Sequence, residues 1–227
     1  MAEPAPAVQP AIEEARSEVE SRVAELREQA VSAPLEARDA AWEWFHQLGD
    51  QVGDDRDSGT AALRELFALG TAPAAIDGRT EGILVAPLIT GPLDRALGLL
   101  PRAWLPWLGK RFDADANSGD NVLRQSARWP AKLFWPRYST RPLGGDRTAF
   151  DFETRIEPSE DEPAIDVLVI DYVVVDSNPG FLIKRIRDEL VEIVPGANLG
   201  KILWRHGDGS YSLIGYFALR NQPAKPG

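Results

Sequence analysis

The stretch RTAFDFETRIEP, residues 147–158, constrains the fold more than any other part of the chain. Its apolar and hydroxyl side chains alternate with charged ones, the first set being Thr148, Phe150, Phe152, Thr154 and Ile156, and the second Arg147, Asp151, Glu153, Arg155 and Glu157. This period of two predicts a β-strand with one face in a core and the other in water. The next run, AIDVLVIDYVVV, is apolar on both faces except at Asp166 and Asp171, which predicts a central strand.

Two further strand-like runs flank a GDG turn at residues 207–209. Glycine and aspartate tolerate the positive φ that tight turns need, so this segment predicts a β-hairpin. Across the chain we expect seven or eight strands without regular alternation of strands and helices. This pattern favours an antiparallel, strongly curved sheet or a small barrel over a parallel α/β fold.

One helix is predicted within the strand-rich part, over residues 179–194. Asn178 suits the N-cap and Pro179 the first helical position, and Pro195 follows the predicted end. Apolar residues with helical spacing form its buried stripe: Leu182, Ile186, Leu190 and Ile193. We expect this inserted helix to close one end of a barrel.

The first third of the chain has a different pattern. Residues 1–10 are rich in proline and alanine and predict a flexible tail. Residues 11–70 predict three amphipathic helices, of which the second begins near Pro34 and stops at Gly49. The sequence therefore predicts an α+β protein: a helical segment, a curved antiparallel barrel-like domain at 71–222, and a short tail at 223–227.

Composition excludes several classes of function. Residues 1–60 carry 5 Lys/Arg and 14 Asp/Glu, so most of the net charge of −10 lies there, and no basic surface is available for nucleic acid. The chain has no cysteine and only two histidines, His46 and His206, so we expect no metal site. It has no apolar run long enough for a membrane span and no signal-peptide pattern at its start, so we expect a cytoplasmic protein.

The segment WLGKRFD, residues 107–113, carries the most informative cation. In an extended conformation Lys110 shares a face with Leu108 and Phe112 and has no counterion nearby, whereas Arg111 can pair with Asp113. Lys110 could therefore point into an apolar interior and meet a carboxylate or oxygen of a ligand. The alternative is that its stem covers apolar neighbours while its ammonium reaches solvent.

The same segment resembles a known family. WLGKRF at 107–112 looks like the Trp-x-Gly-Lys-x-Phe element of bacterial domains of unknown function grouped under the name GXWXG, and VIDY at 169–172 and GYFALR at 215–220 follow in a similar order. The GXWXG motif itself is absent, because residues 81–87 read EGILVAP. Such domains look similar to ligand-holding barrels of the lipocalin and nitrobindin type. The resemblance also implies haem, but only His46 or His206 could ligate it, and we expect no cofactor.

These observations favour non-catalytic binding of a small hydrophobic, lipid-like molecule inside a barrel. The expected ligand-binding residues are Lys110, Trp107, Phe112, Phe150, Phe152, Tyr172 and Phe217. A first alternative is an isomerase or cyclase that uses Asp171 as acid or base and Lys110 as an electrostatic anchor. A second is an interaction protein whose acidic N-terminal helices carry the activity. The sequence indicates no oligomeric state.

Overall fold

The computed structural model describes residues 8–74, 76–88, 107–127, 135–180 and 182–222, with side chains from residue 16 onward. It begins with three helices, α1 (Val8–Ser32), α2 (Pro34–Asp54) and α3 (Arg56–Ala68). Nine strands follow: β1 (Gly78–Pro87), β2 (Trp107–Asp113), β3 (Ser118–Arg124), β4 (Arg141–Leu143), β5 (Asp146–Pro158), β6 (Asp166–Asp171), β7 (Ile186–Val194), β8 (Ala197–Arg205) and β9 (Tyr211–Asn221). The predicted tail at 223–227 and most of that at 1–10 lie outside the described residues.

Eight of the strands close into an antiparallel barrel. The order around it is β1-β2-β3-β5-β6-β7-β8-β9, and β9 pairs back with β1. The short strand β4 adds to β5 at residues 146–148 and takes no part in the closure. The structure thus confirms the predicted α+β class with N-terminal helices and an antiparallel barrel.

Strands β6 to β9 are buried on both faces because they separate two apolar cores. The inner core lies inside the barrel and includes Phe152, Ile170, Leu190 and Phe217. The outer core lies between these strands and the helices and combines residues of both: Phe45, Leu63, Phe67, Val169, Val191, Leu199 and Tyr216. This double burial explains why residues 167–170 are apolar on both faces. The strand ends at Asp171, earlier than the run AIDVLVIDYVVV suggests, and Val174 beyond it is 47% exposed.

The helices pack directly on the barrel. Gly49 of α2 touches β1 so closely that a Cβ at this position would lie 2.7 Å from the carbonyl oxygen of Val85. The prediction that α2 stops at Gly49 was wrong: this glycine permits close packing, and the helix continues to Asp54. Arg27 of α1 fixes the arrangement by donating to the carbonyl oxygens of Leu69, at 2.6 Å, and Ile193, at 3.2 Å. Among the described helices, none has an apolar stretch long enough to cross a membrane.

The inserted helix predicted at 179–194 is absent. Residues Ile183–Arg185 form one 3-10 turn, and Ile186–Val194 is strand β7. Leu190 points into the barrel while Val191 and Ile193 face the helices, so the apolar residues do not alternate as in a half-exposed strand. The spacing of these apolar residues therefore matches a helical stripe by coincidence. The segment forms a strand that is buried on both faces.

Charged residues on the outer face of β7 and β8 are satisfied by the loop at 159–165. Glu189, fully buried, accepts from Ser159 Oγ at 2.6 Å and from Arg187 Nε at 3.0 Å. Lys201, also fully buried, donates to Asp161 at 2.9 Å and to Glu162 at 2.6 Å. This loop therefore supplies hydrogen-bonding partners for buried polar side chains of β7 and β8.

A polar cluster in the barrel cavity

A cavity of about 250 Å³ occupies the barrel interior. Most of its lining is apolar or aromatic: Leu84, Trp107, Leu123, Phe150, Ile183, Ile186, Ile202 and Phe217. Four polar side chains complete the lining, namely Lys110, Asn121, Tyr172 and Asp188. An apolar pocket with a few convergent polar groups is the usual form of a site for a small molecule.

Lys110 lies at the centre of the polar group, with only 2% of its surface exposed. Its Nζ donates to Asp188 Oδ2 at 2.8 Å, to Asn121 Oδ1 at 3.1 Å and to Tyr172 Oη at 2.5 Å. Three acceptors around one nitrogen use all three N–H groups of an ammonium, so the geometry holds Lys110 in its charged form. Protein groups already accept from all three donors of Lys110, so a ligand oxygen would have to replace one of them, and contact between Lys110 and a ligand stays a prediction.

The other members of the cluster bind one another. Tyr172 Oη donates to Asp188 Oδ2 at 2.9 Å and accepts from Asn121 Nδ2 at 3.2 Å. Asn121 also accepts from Trp107 Nε1 at 3.0 Å and donates to the carbonyl oxygen of Phe150 at 3.1 Å. Such a closed network positions each side chain through its neighbours and makes this end of the cavity rigid.

Burial shifts the protonation equilibria of this cluster. It lowers the pKa of Lys110 from the ordinary 10.5, an effect that the charge and hydrogen bond of Asp188 oppose. Burial also raises the pKa of Tyr172 well above the ordinary 10.0, and the nearby charge of Asp188 adds to this increase. Tyr172 therefore stays a neutral hydrogen-bond donor at neutral pH.

Aromatic rings surround the ammonium of Lys110. The centroids of three rings lie 5.2–5.7 Å from Nζ, those of Trp107, Phe152 and Phe217. At this range the electron-rich ring faces attract a cation. The rings thus offset part of the cost of burying the charge, and those of Trp107 and Phe217 also form walls of the cavity.

Glycines on neighbouring strands make room for these rings. A Cβ on Gly82 would come within 2.5 Å of Trp107, and one on Gly200 would overlap the ring of Phe217. Gly200 of β8 is the direct cross-strand partner of Phe217. The aromatic walls therefore lie over backbone that carries no side chain, which fixes their position.

Strand β5 carries a bulge at the cavity. Gly119 pairs with Phe152 and Asn121 with Ala149, so two residues of β5 lie opposite one residue of β3. Phe150, within the bulge, adopts φ 56°, a conformation that is unfavourable for a residue with a large side chain. The bulge turns the ring of Phe150 into the cavity and presents its carbonyl oxygen to Asn121.

The structure places most of the predicted ligand-binding residues around this cavity. Lys110, Trp107, Phe150, Tyr172 and Phe217 line it. Phe112 and Phe152 lie in the inner core behind the polar cluster, where their ring centroids are 5.4 Å apart.

Asp171 is not part of the cavity. It accepts from Arg155 Nη1 at 2.8 Å and from the backbone N–H of Val173 at 2.8 Å, on the outer side of the barrel. The preceding residue, Ile170, points inward, and strand alternation directs Asp171 outward. The carboxylate that meets Lys110 is Asp188, which was placed on the helix predicted at 179–194 and was not among the predicted site residues. Asn121 was missed too, because nothing in SGDNVLR distinguishes it from a turn residue.

Neither histidine reaches the cavity. His46 lies on α2 with its ring against Trp42, and the exposed His206 contacts Ser212 Oγ at 2.6 Å beside the hairpin turn. The residues that line the cavity therefore do not fit a haem bound through histidine.

Comparisons with known proteins return no matching family model, no matching curated protein and no matching solved structure. The resemblance to GXWXG domains thus stays a prediction from the short motifs that carry it.

Proposed function

We propose that this protein binds a small, mostly apolar molecule inside the barrel. The single observation that carries the proposal is an apolar cavity with one rigid polar end, formed by Lys110, Asp188, Tyr172 and Asn121. Burying apolar ligand surface supplies the affinity, while a few fixed polar groups orient the ligand.

The size of the cavity limits the ligand. An engineered apolar cavity of about 150 Å³ accommodates benzene. By proportion, the 250 Å³ cavity has room for about ten non-hydrogen atoms. The proposal therefore concerns bicyclic or short branched molecules and not long-chain lipids.

Two observations weigh against the alternatives. Asp171, the acid or base expected for an isomerase or cyclase, is paired with Arg155 outside the cavity. The helices, expected to dock on a partner in an interaction protein, bury Phe45, Leu63 and Phe67 against the barrel. Cytoplasmic location stays a prediction, which fractionation of the source cells tests.

Calorimetric titration with indane, an apolar bicyclic hydrocarbon of suitable size, tests the proposal. We expect saturable binding to one site in the unmodified protein. Ile202→Trp places a large ring in the cavity and should abolish binding, whereas Ile156→Trp should not, since Ile156 is 52% exposed and outside the cavity. Absence of binding to the unmodified protein, or equal binding to both variants, contradicts the proposal.

A further inference from the structure

We infer that the ligand of this cavity is a neutral molecule with a hydrogen-bond donor, such as a hydroxyl or amide N–H, which it gives to Asp188 Oδ1. This inference rests on the proposed function and names the chemical class of the ligand. It follows from accounting for each donor and acceptor in the polar cluster.

Three members of the cluster have no capacity left. Lys110 uses three N–H donors on three protein acceptors. Tyr172 donates once and accepts twice. Asn121 donates both amide hydrogens, to Phe150 and Tyr172, and accepts two hydrogen bonds at Oδ1. A ligand gains nothing from these groups unless it breaks a bond already made.

Asp188 differs from the other three. Both hydrogen bonds that it receives, from Lys110 and Tyr172, end on Oδ2. Within the described part of the chain, no group donates to Oδ1. This oxygen is nevertheless not fully buried by protein atoms. Because Asp188 lines the cavity and Oδ2 already receives both hydrogen bonds, Oδ1 is the acceptor left for a ligand.

Charge restricts the ligand further. Lys110 and Asp188 already neutralise each other at 2.8 Å. An anionic ligand finds a carboxylate oxygen and no free donor, and a cationic ligand at Oδ1 lies close to the ammonium of Lys110. Both arrangements place like charges together in a medium of low polarity, so a neutral donor fits best.

Three related probes test the inference by calorimetry on the unmodified protein: indane, 1-indanol and 1-indanone. The alcohol carries a donor, the ketone carries only an acceptor and the hydrocarbon carries neither. We expect 1-indanol to bind at least about ten-fold more tightly than 1-indanone, because a hydrogen bond to a carboxylate is stronger than one between neutral groups. Equal affinities, or tighter binding of the ketone, overturn the inference.

Indane distinguishes failure of the donor inference from failure of the proposed function. Binding of indane without any advantage for 1-indanol overturns the donor inference and leaves the proposed function intact. If none of the three probes binds, the proposed function fails and the inference fails with it.

Asp188→Asn supplies a sharper version of the test. Lys110 and Tyr172 both donate to the Oδ2 position, so the amide oxygen must occupy it and the amide NH₂ must face the cavity. We expect the preference to reverse, with 1-indanone binding more tightly than 1-indanol. A folded variant that keeps the preference for the alcohol overturns the inference. If the variant does not fold, the comparison of the three probes on the unmodified protein tests the inference by itself.

Discussion

Lys110 Nζ and Asp188 Oδ2 lie 2.8 Å apart although their strands face each other across the barrel. In either direction around the ring of eight strands, three strands separate β2 from β7. The ion pair therefore crosses the interior and joins two opposite walls at one end of the cavity. Its two side chains are 3% and 5% exposed, so water screens the pair very little.

Removing one member of this ion pair should lower the free energy of unfolding more than replacing both members by apolar residues. Lys110→Met and Asp188→Leu each leave a buried charge without its partner, and we expect each to lower the free energy of unfolding by about 3–5 kcal/mol. The double variant removes both charges and should lose clearly less than the sum of the two. Urea unfolding of the four proteins gives the coupling energy. Additive losses contradict the account.

Alkaline pH should destabilise the protein through Tyr172. Its pKa is raised in the folded state, so above pH 10 the unfolded chain releases this proton while the native protein keeps it. Stability contributed by Tyr172 is therefore complete below pH 10 and falls above it, by up to about 1.4 kcal/mol per pH unit. Lys110, whose pKa is lowered, acts in the opposite direction.

Tyr172→Phe removes the titrating hydroxyl of the tyrosine, while both proteins keep Lys110. Chemical unfolding between pH 9 and pH 11 should show a shallower loss of stability in the variant. Parallel curves for the two proteins would mean that Tyr172 is not held in its neutral form by the fold.

Gly200→Ala should disturb the cavity wall. The added Cβ overlaps the ring of Phe217, which must move into the cavity or push the strands apart. We expect a loss of about 1–3 kcal/mol in stability and weaker binding of indane. Gly207→Ala is the matched control: nothing lies within 4 Å of its Cβ position, so both properties should stay unchanged. Equal behaviour of the two variants refutes the role assigned to Gly200.

The helices should unfold together with the barrel, since they share its outer core. Leu63→Asp places a charge where the side chain is fully buried, and we expect a loss of at least about 3 kcal/mol. Leu35→Asp, at a position that is 61% exposed, should change stability by less than about 0.5 kcal/mol. Retention of a normal barrel transition in Leu63→Asp would show that the helices are an independent unit.

The architecture could be predicted from the sequence where one face of a strand is exposed to solvent. RTAFDFETRIEP shows the period of two, and the GDG turn marks the β8–β9 hairpin. The predicted core face holds for Thr148, Phe150 and Phe152 but was wrong for Ile156, which is 52% exposed. The prediction failed at β7, where both faces are buried and polar Arg187 and Glu189 are covered by a loop. Such a strand has no alternation to detect, so its apolar spacing resembled a helix.

The candidate site was predictable only in part, for a related reason. Lys110 stood out because its own strand offered it no counterion, and the structure places it in the interior. Its partner lies 78 residues away on β7, and local spacing cannot show which carboxylate a closed barrel brings near. Asp188 was assigned to a helix that does not form and was left out of the predicted site. Asp171 was predicted instead because it interrupts an apolar strand.

The location of a bound ligand tests the central claim most directly. A crystal of the full-length protein soaked with iodobenzene, whose iodine gives an anomalous signal, shows where an apolar molecule binds. We predict a single strong peak inside the barrel, in contact with Ile183, Ile202 and Phe217. An empty barrel, with iodine only on the outer surface or among the helices, would contradict the claim that this interior is a binding site.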